Sequence, residues 1–360
     1  MKKTYLYCEH KKLGAKFTEF GGWEMPVQYT SIIDEHNEVR TNVGVFDTSH
    51  MGTFIITGEN SEKFLDYVTL GNISGLSNKK AKYSMILNEN GGIKDDIIVY
   101  RFDYEYMVVV NAGNLEKDFN WLNKQKEIGW KKIDIKNIST NICLISVQGP
   151  KSSEILQTIC ETYIKDMKYF TISELKLKNV DASFCRIART GYTGEDGFEI
   201  FISKEQMIVL WEKLMNLSIK PCGLGCRDTL RLEACMPLHG HEIDESINPI
   251  DAGFQKTINW NNNFIGKDKL LFLKDKPSKV SIAFECLFGV ARNTNKVFLG
   301  NREIGYVTSG SFSPTLKKAI GMALIDADID VKSGKLEVEI HNSKREIKAF
   351  IKPLYKKPKK

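Results

Sequence analysis

Apolar and polar positions alternate most clearly between residues 83 and 110. Residues 83–87 read as one strand, 93–100 as a second, and 106–110 as a third that ends at Asn111. The first two are joined by Asn88-Glu89-Asn90-Gly91-Gly92, a run of turn formers. From about Asn114 the period changes, with Leu115, Phe119 and Leu122 at helical spacing. Upstream, Thr30-Ser31-Ile32-Ile33-Asp34-Glu35 carries an N-cap hydroxyl and early acids, which predicts a helix start. Ser203-Lys204-Glu205-Gln206 predicts a capping box. It opens a helix bearing Met207, Val209, Leu210, Trp211 and Leu214. A second helix is predicted over 224–235, ending before Pro237. Beyond about residue 278 come short strands at 281–284, 305–308, 319–325 and 335–340, which predict a separate β-rich domain. Strands and helices mix without the regular alternation of a parallel sheet, so the expected class is α+β.

Composition narrows this only slightly. The 360 residues suffice for two or three domains, and 42% hydrophobic with 27% charged residues is ordinary for a globular chain. No stretch approaches the ~20 apolar residues of a membrane span. The basic start is not followed by an apolar run, so no secretory signal is expected. Eight scattered cysteines fit a reducing compartment, and the expected location is cytoplasmic. Part of the +6 net charge sits in the run Lys352-Pro353-Leu354-Tyr355-Lys356-Lys357-Pro358-Lys359-Lys360. That run fits a solvated terminus, or a segment attracting an acidic partner or polyanionic ligand tail.

Four features could carry chemistry. The first is Asp95-Asp96, two acids inside a β-branched strand. By alternation Asp95 shares a face with Ile93, Ile97 and Val99, and Asp96 with Ile98 and Tyr100. Burying a carboxylate is costly unless something pairs with it. The pair either meets basic neighbours or caps a hairpin, or one acid polarises a nitrogen-bearing ligand. The second is Arg189-Thr190-Gly191-Tyr192-Thr193-Gly194-Glu195-Asp196-Gly197-Phe198-Glu199-Ile200. It lacks the ending of a phosphate loop. Its glycines predict a tight turn where backbone closely approaches something. Glu199 is either a surface acid on an edge strand or a ligand-reading one. The third is Arg227 and Arg231, four apart on one helix face. Either nearby acids offset them, or one arginine forks onto a carboxylate ligand. The fourth is Cys222, Cys226, Cys235, His239 and His241. Cys226 and Cys235 fall on opposite sides of a helix, which opposes a shared zinc site, so no metal is expected. No nucleic-acid motif, dinucleotide fingerprint or nucleophile elbow occurs.

Taken in order, these segments resemble the glycine cleavage system T protein (aminomethyltransferase) family. The resemblance covers nearly the whole chain. It rests on Gly22-Trp23-Glu24-Met25-Pro26-Val27-Gln28-Tyr29, Asp47-Thr48-Ser49-His50-Met51-Gly52, the acid-pair strand, Ser146-Val147-Gln148-Gly149-Pro150 and the turn Gly191 to Gly197. It continues with Gly240-His241-Glu242-Ile243-Asp244, Phe264-Ile265-Gly266-Lys267 and Val307-Thr308-Ser309-Gly310-Ser311-Phe312-Ser313-Pro314. It implies a three-domain cloverleaf around a folate site: 1–54 with 139–241, 55–138 with 242–277, and a barrel-like 278–360. The implied reaction moves the carbon of an aminomethyl group from the dihydrolipoyl arm of the H protein to tetrahydrofolate, a co-substrate. Ammonia is released and methylenetetrahydrofolate forms, with no metal, nucleic acid or membrane involved. Asp96 resembles the key carboxylate. Tyr83, Tyr100, Asn111 and Tyr192 resemble pterin-site residues, with Met51 packing on the ring. Glu199 resembles the acid that reads the pterin N–H donors, and Arg227 the folate-binding arginine, leaving Arg231 structural. The chain departs from the family's usual pattern at His239, Cys226 and Cys235, over 290–296, and at Lys356 and Lys357, where an arginine is usual. The alternative is a non-catalytic folate-binding relative in iron–sulfur assembly or tRNA modification. Its Lys-Gly-Cys-x-x-Gly-Gln hallmark is missing around Cys235.

Overall fold

Val-, Ile- and Phe-rich segments pair into sheets of two, five and six strands and a closed six-stranded barrel. The computed structural model describes residues 1–331, 334–351 and 353–357; of the basic tail, Lys352 and residues 358–360 lie outside the described residues. The chain divides into two compact units. The first holds 1–68, 72–84 and 97–227; the second holds 69–71, 85–96 and 228–360.

In the first unit the six-stranded sheet runs Ile172–Glu174, Cys185–Ala188, Gly197–Ser203, Ile142–Gln148, Gly44–Asp47, Lys220–Pro221. Its pairings are antiparallel except the last. Every residue of Gly197–Ser203 is buried, because both faces of this strand are covered. Phe198, Ile200 and Ile202 share a core with Met207, Leu210, Trp211 and Leu214 of the helix Met207–Asn216. On the opposite face Phe201 joins Leu144, Tyr100, Met107 and Val109 in a second core. The Tyr100 and Phe201 rings meet edge-on, centroids 5.6 Å apart.

The five-stranded sheet has the order Ala81–Leu87, Ile93–Arg101, Glu105–Val110, Gly52–Gly58, Ile133–Asn137. Its first three strands are those expected from alternation. Two of them change unit within their length, after Ser84 and after Asp96. The helix expected from about Asn114 is Leu115–Gly129, preceded by the 3-10 turn Ala112–Asn114. Ser31 caps Ile32–Thr41, its hydroxyl accepting from the Asp34 amide at 3.1 Å.

Ser203 does not form the expected capping box. It is the last residue of a buried strand, paired with Ile142, and a 3-10 turn Lys204–Gln206 separates it from the helix. Sheet pairing outcompetes the local signal there. The helix expected over 224–235 stops at Glu233, since Cys235 takes φ +55°.

The barrel of the second unit closes through Lys279–Cys286, Lys318–Asp326, Arg302–Ser313, Lys296–Leu299, Leu336–Ile340 and Ser343–Phe350, the last pairing with the first. Phe284, Val297, Val307, Ile325 and Val338 are among the side chains that fill it. Ser343–Phe350 escaped the pattern because only Ile347 of it is buried. Pairing with Leu336–Ile340 and Lys279–Cys286 makes it a strand. No described helix is long and apolar enough to cross a membrane.

Candidate active site

The acid pair sits where two glycines let the backbone crowd. Gly91 has φ +83°, and a Cβ on Gly92 would fall 1.9 Å from the Glu245 carbonyl oxygen. The Asn88 side chain ties the turn: its Oδ1 accepts from the Asn90 and Gly92 amides at 3.0 and 2.9 Å, and its Nδ2 donates to Glu245 O at 3.0 Å. The Ile93 amide donates to the carbonyls of Asp244 and Ile247, both at 3.0 Å. Lys94 reaches the Glu245 carboxylate at 3.2 Å. The Gly240–Asp244 motif and the residues after it thus hold the strand that carries the acids. Asp95 is wholly buried, while Asp96 and Ile98 on the alternate face are half-buried. Of the two acids, Asp96 is the one that keeps exposed surface.

In the first unit Glu199 is no edge acid. Its strand lies between two others, and Glu199 is 8% exposed. It shares a face with Phe201, so it points toward the five-stranded sheet. Thr190 donates to Glu199 Oε2 at 2.5 Å, and the Tyr100 hydroxyl donates to the same oxygen at 3.4 Å. Both internal donors therefore use one oxygen. Burial and the Glu199 charge hold the Tyr100 hydroxyl well above the usual phenol range, so it stays a donor. Tyr169, half of whose surface stays exposed, adds a further phenol whose pKa is raised by partial desolvation and by Glu199.

Arg227 lies over the Tyr192 ring, 4.9 Å from its centroid. The residue as a whole is half-buried, but its Nη1 is shut off from solvent and has no hydrogen-bond partner among the described residues. Burial lowers the Arg227 pKa, and the Glu199 carboxylate opposes that shift. Met51 packs against the Tyr100 core. Met51 and Asn111 flank the strand pair Gly52–Val110, and Tyr83 is half-buried on Ala81–Leu87. The structure thus brings Tyr100, Glu199, Tyr192, Arg227 and Met51 onto one part of the first unit. Asp96 belongs to the second.

Three supporting residues were not anticipated. Thr190 orients Glu199. Gln148 is what the glycine turn approaches: a Cβ on Gly191 or Gly197 would fall 2.0 or 2.4 Å from its amide. That amide donates to Thr190 O at 3.0 Å and accepts from Thr193 Oγ1 at 2.9 Å. Arg189 forks onto Asp196 at 2.9 and 2.6 Å, and Arg40 reaches Glu195 at 3.0 Å, so the turn is fixed from both ends. The third is His50, buried beside Met51. Each stands inside a motif already singled out, but its role depends on a residue remote in sequence.

Arg231 is structural. Its guanidinium meets Glu242 at 2.7 Å, Asp228 at 2.8 Å and the Ser309 hydroxyl at 2.8 Å. Of the cysteine–histidine set, Cys222 and Cys226 lie with Glu35, their ligand atoms all within 4.8 Å of one another. The Glu35 carboxylate already accepts from the Tyr29, Thr30 and Gly223 amides at 2.6, 3.0 and 2.8 Å. The Cys222 thiol faces the Lys220 carbonyl at 3.5 Å, and burial raises the Cys226 thiol well above its usual range. This is a hydrogen-bonded structural knot.

The family profile of the GCVT N-terminal domain matches residues 6–262, and that of the glycine cleavage T-protein C-terminal barrel domain matches 279–356. An aminomethyltransferase of Thermosipho melanesiensis is 44% identical, the match covering 99% of this chain and 98% of the relative. One of Geobacillus sp. (strain WCH70) is 40% identical over the whole of both chains. The crystal structure of the glycine cleavage system aminomethyltransferase T from Bartonella henselae superposes with a TM-score of 0.92 at 31% identity, covering 99% of this chain and 98% of that one. On the sequence, on the sheets and barrel, and over its full length, the chain belongs to the glycine cleavage T-protein (aminomethyltransferase) family.

Proposed function

We propose that this aminomethyltransferase takes the aminomethyl group from the dihydrolipoyl arm of a lipoylated carrier protein and passes its carbon to tetrahydrofolate. The carbon–sulfur bond breaks, bonds to the two folate nitrogens form, and the amine leaves as ammonia. The observation that carries the folate assignment is the Glu199–Arg227 pair. Among the described residues the internal donors of Glu199 both use Oε2, which leaves Oε1 to accept, and the Arg227 guanidinium lies over the Tyr192 ring beside it. An acceptor and a donor held on one rigid wall suit the N–H and carbonyl groups of a folate. Met51, Tyr83, Tyr100, Asn111 and Tyr192 supply its apolar and phenolic surroundings.

Asp96 is assigned the reacting carboxylate. It is the member of the pair that keeps exposed surface, on a strand whose start is pinned by four backbone and side-chain contacts. An acid fixed in this way can orient the folate nitrogen and favour the positive charge that develops as it attacks. The same reading places the domain boundaries at 54/55, 138/139, 241/242 and 277/278. The barrel's first strand at Lys279 supports the last of these. Work in the cytoplasm without a metal completes it.

The test is ammonia release from aminomethylated carrier, with and without tetrahydrofolate. Folate-dependent release is expected. Asp96→Asn is expected to lower kcat about a hundredfold or more while changing the folate Kd by less than about threefold. Equal losses in both would reduce Asp96 to a binding role. Folate binding without any release would favour the non-catalytic relative.

A further inference from the structure

Gln148 is the last residue of Ile142–Gln148, paired with Gly197 on one side and Gly44 on the other. Its side chain shares a face with Ser146, which pairs with Glu199, so Gln148 and Glu199 are diagonal neighbours on that face. Gln148 is wholly buried and its amide is engaged at both ends by the glycine turn: Nε2 donates to Thr190 O at 3.0 Å, and Oε1 accepts from Thr193 Oγ1 at 2.9 Å. The turn cannot slide past this amide, which a Cβ on Gly191 or Gly197 would meet at 2.0 or 2.4 Å. The Thr190 backbone is thereby fixed. From it the buried Thr190 hydroxyl donates to Glu199 Oε2 at 2.5 Å. The Tyr100 hydroxyl approaches the same oxygen at 3.4 Å and Thr190 Oγ1 at 3.3 Å.

The last link of this chain is one-sided. A carboxylate buried for structure alone has both oxygens paired, because an unpaired buried acceptor is costly. Glu199 pairs only Oε2 among the described residues, and its Oε1 is not among the polar atoms sealed from solvent. Two donors on one oxygen fill its lone pairs and leave the acceptor capacity of the group on the other. The terminal torsion of a glutamate is otherwise loose. The Thr190 hydroxyl is what fixes it, and Gln148 is what fixes Thr190.

We propose that Gln148 and Thr190 are positioning residues of the folate site: acting through Glu199, they set how firmly its Oε1 holds an N–H donor of the ligand, and so the preference for a ligand with an exocyclic amino group. This rests on the folate reading above and deepens it. Neither side chain is assigned a contact with the ligand, since the polar atoms of both are engaged within the protein.

Tetrahydrofolate and its 2-desamino-2-methyl analogue are titrated by calorimetry against wild type, Thr190→Val, Thr190→Ser and Gln148→Met, with thermal midpoints as the folding control. Wild type is expected to prefer tetrahydrofolate by about tenfold or more. Thr190→Val removes the hydroxyl at nearly constant volume. It is expected to cut that preference to about threefold or less and to bind the analogue within about threefold of wild type. Thr190→Ser keeps the donor and is expected to keep the preference. Gln148→Met is expected to lower the preference without touching the Thr190 side chain, and it carries the comparison if Thr190→Val does not fold. Disturbed packing alone would weaken both ligands alike, so equal losses for the two ligands would overturn the proposal and leave the folate reading standing. Loss of the preference in Thr190→Ser, or a wild type that binds the two ligands equally, would do the same. Failure of wild type to bind tetrahydrofolate would overturn both.

Discussion

Burial sets the charge of His50. Loss of solvation is the largest influence and the Arg227 cation adds to it; Asp47 opposes them, and the pKa falls from 6.5 to about 4. The folded state therefore resists a proton that the unfolded chain accepts below about pH 6.5. Between that pH and about 4 the unfolded state binds more protons, so stability falls as pH falls. The difference corresponds to about 3 kcal/mol. Asp47 acts in the next window. Burial alone would raise its pKa, but His10, Thr4 and Ser49 hold it at about 2, so its contribution is present above about pH 4 and is lost as pH drops toward 2. Urea midpoints measured from pH 7.5 to 3 are expected to decline in wild type across both windows. His50→Asn is expected to flatten the curve between pH 6.5 and 4 and to keep the fall below 4. Parallel curves for the two proteins would mean that His50 titrates normally.

At the scale of single elements, close backbone approaches fix the strand that carries the acid pair. Gly92 starts the acid-pair strand with its Cα against the Glu245 carbonyl, where an added Cβ would lie 1.9 Å from oxygen. Backbone gives way far less readily than a side-chain tip. Gly92→Ala is expected to destabilise by about 2 kcal/mol or more and to lower turnover as the acids shift. Gly129, at the end of Leu115–Gly129, has nothing within 4 Å of its would-be Cβ. Gly129→Ala is expected to be neutral or stabilising by up to about 1 kcal/mol. Equal melting temperatures for the two variants would contradict the close approach. The same comparison marks what was legible in the sequence. The strand, its two acids and the glycines around them could be read locally, since alternation and turn chemistry are short-range. The glycines' partners could not. Glu245 meets Gly92 from more than 150 positions away, and Gln148 fills the Gly191–Gly197 turn from more than 40. Thr190 and His50 escaped for that reason, and Ser203 was misread because a neighbouring strand outcompeted its cap. Asp96, Glu199 and Arg227 stood out locally as candidates, and only the resemblance gave each an expected role.

Across the second unit, buried ions join segments that are far apart in the chain. Arg231 and Glu242 pair at 2.7 Å with side chains only 2% and 3% exposed. Glu242 also accepts from Thr308 Oγ1 at 2.6 Å and the Leu238 amide at 3.0 Å, and Arg231 donates to Ser309. Glu233 takes the hydroxyls of Ser313 and Thr315. The second half of Leu224–Glu233 and the Gly240–Asp244 motif are thereby fastened to the barrel strand Arg302–Ser313. Desolvating two charges offsets much of their attraction, so the pair as a whole adds little net stability. Removing one member is different, because it strands the other in a site without water. Arg231→Met and Glu242→Leu are each expected to cost about 3–5 kcal/mol. The double variant is expected to be clearly more stable than the sum of the two losses, and a double-mutant cycle on urea midpoints reads this directly. Additive losses would mean that the two side chains act independently, and that hydrogen bonds to Thr308 and Ser309 hold the barrel without the ion pair. Coupling of about 2 kcal/mol or more would make the pair the fastening. Folate binding by the stable double variant would then separate this structural arginine from Arg227, since affinity should survive the loss of Arg231 and fall with the loss of Arg227.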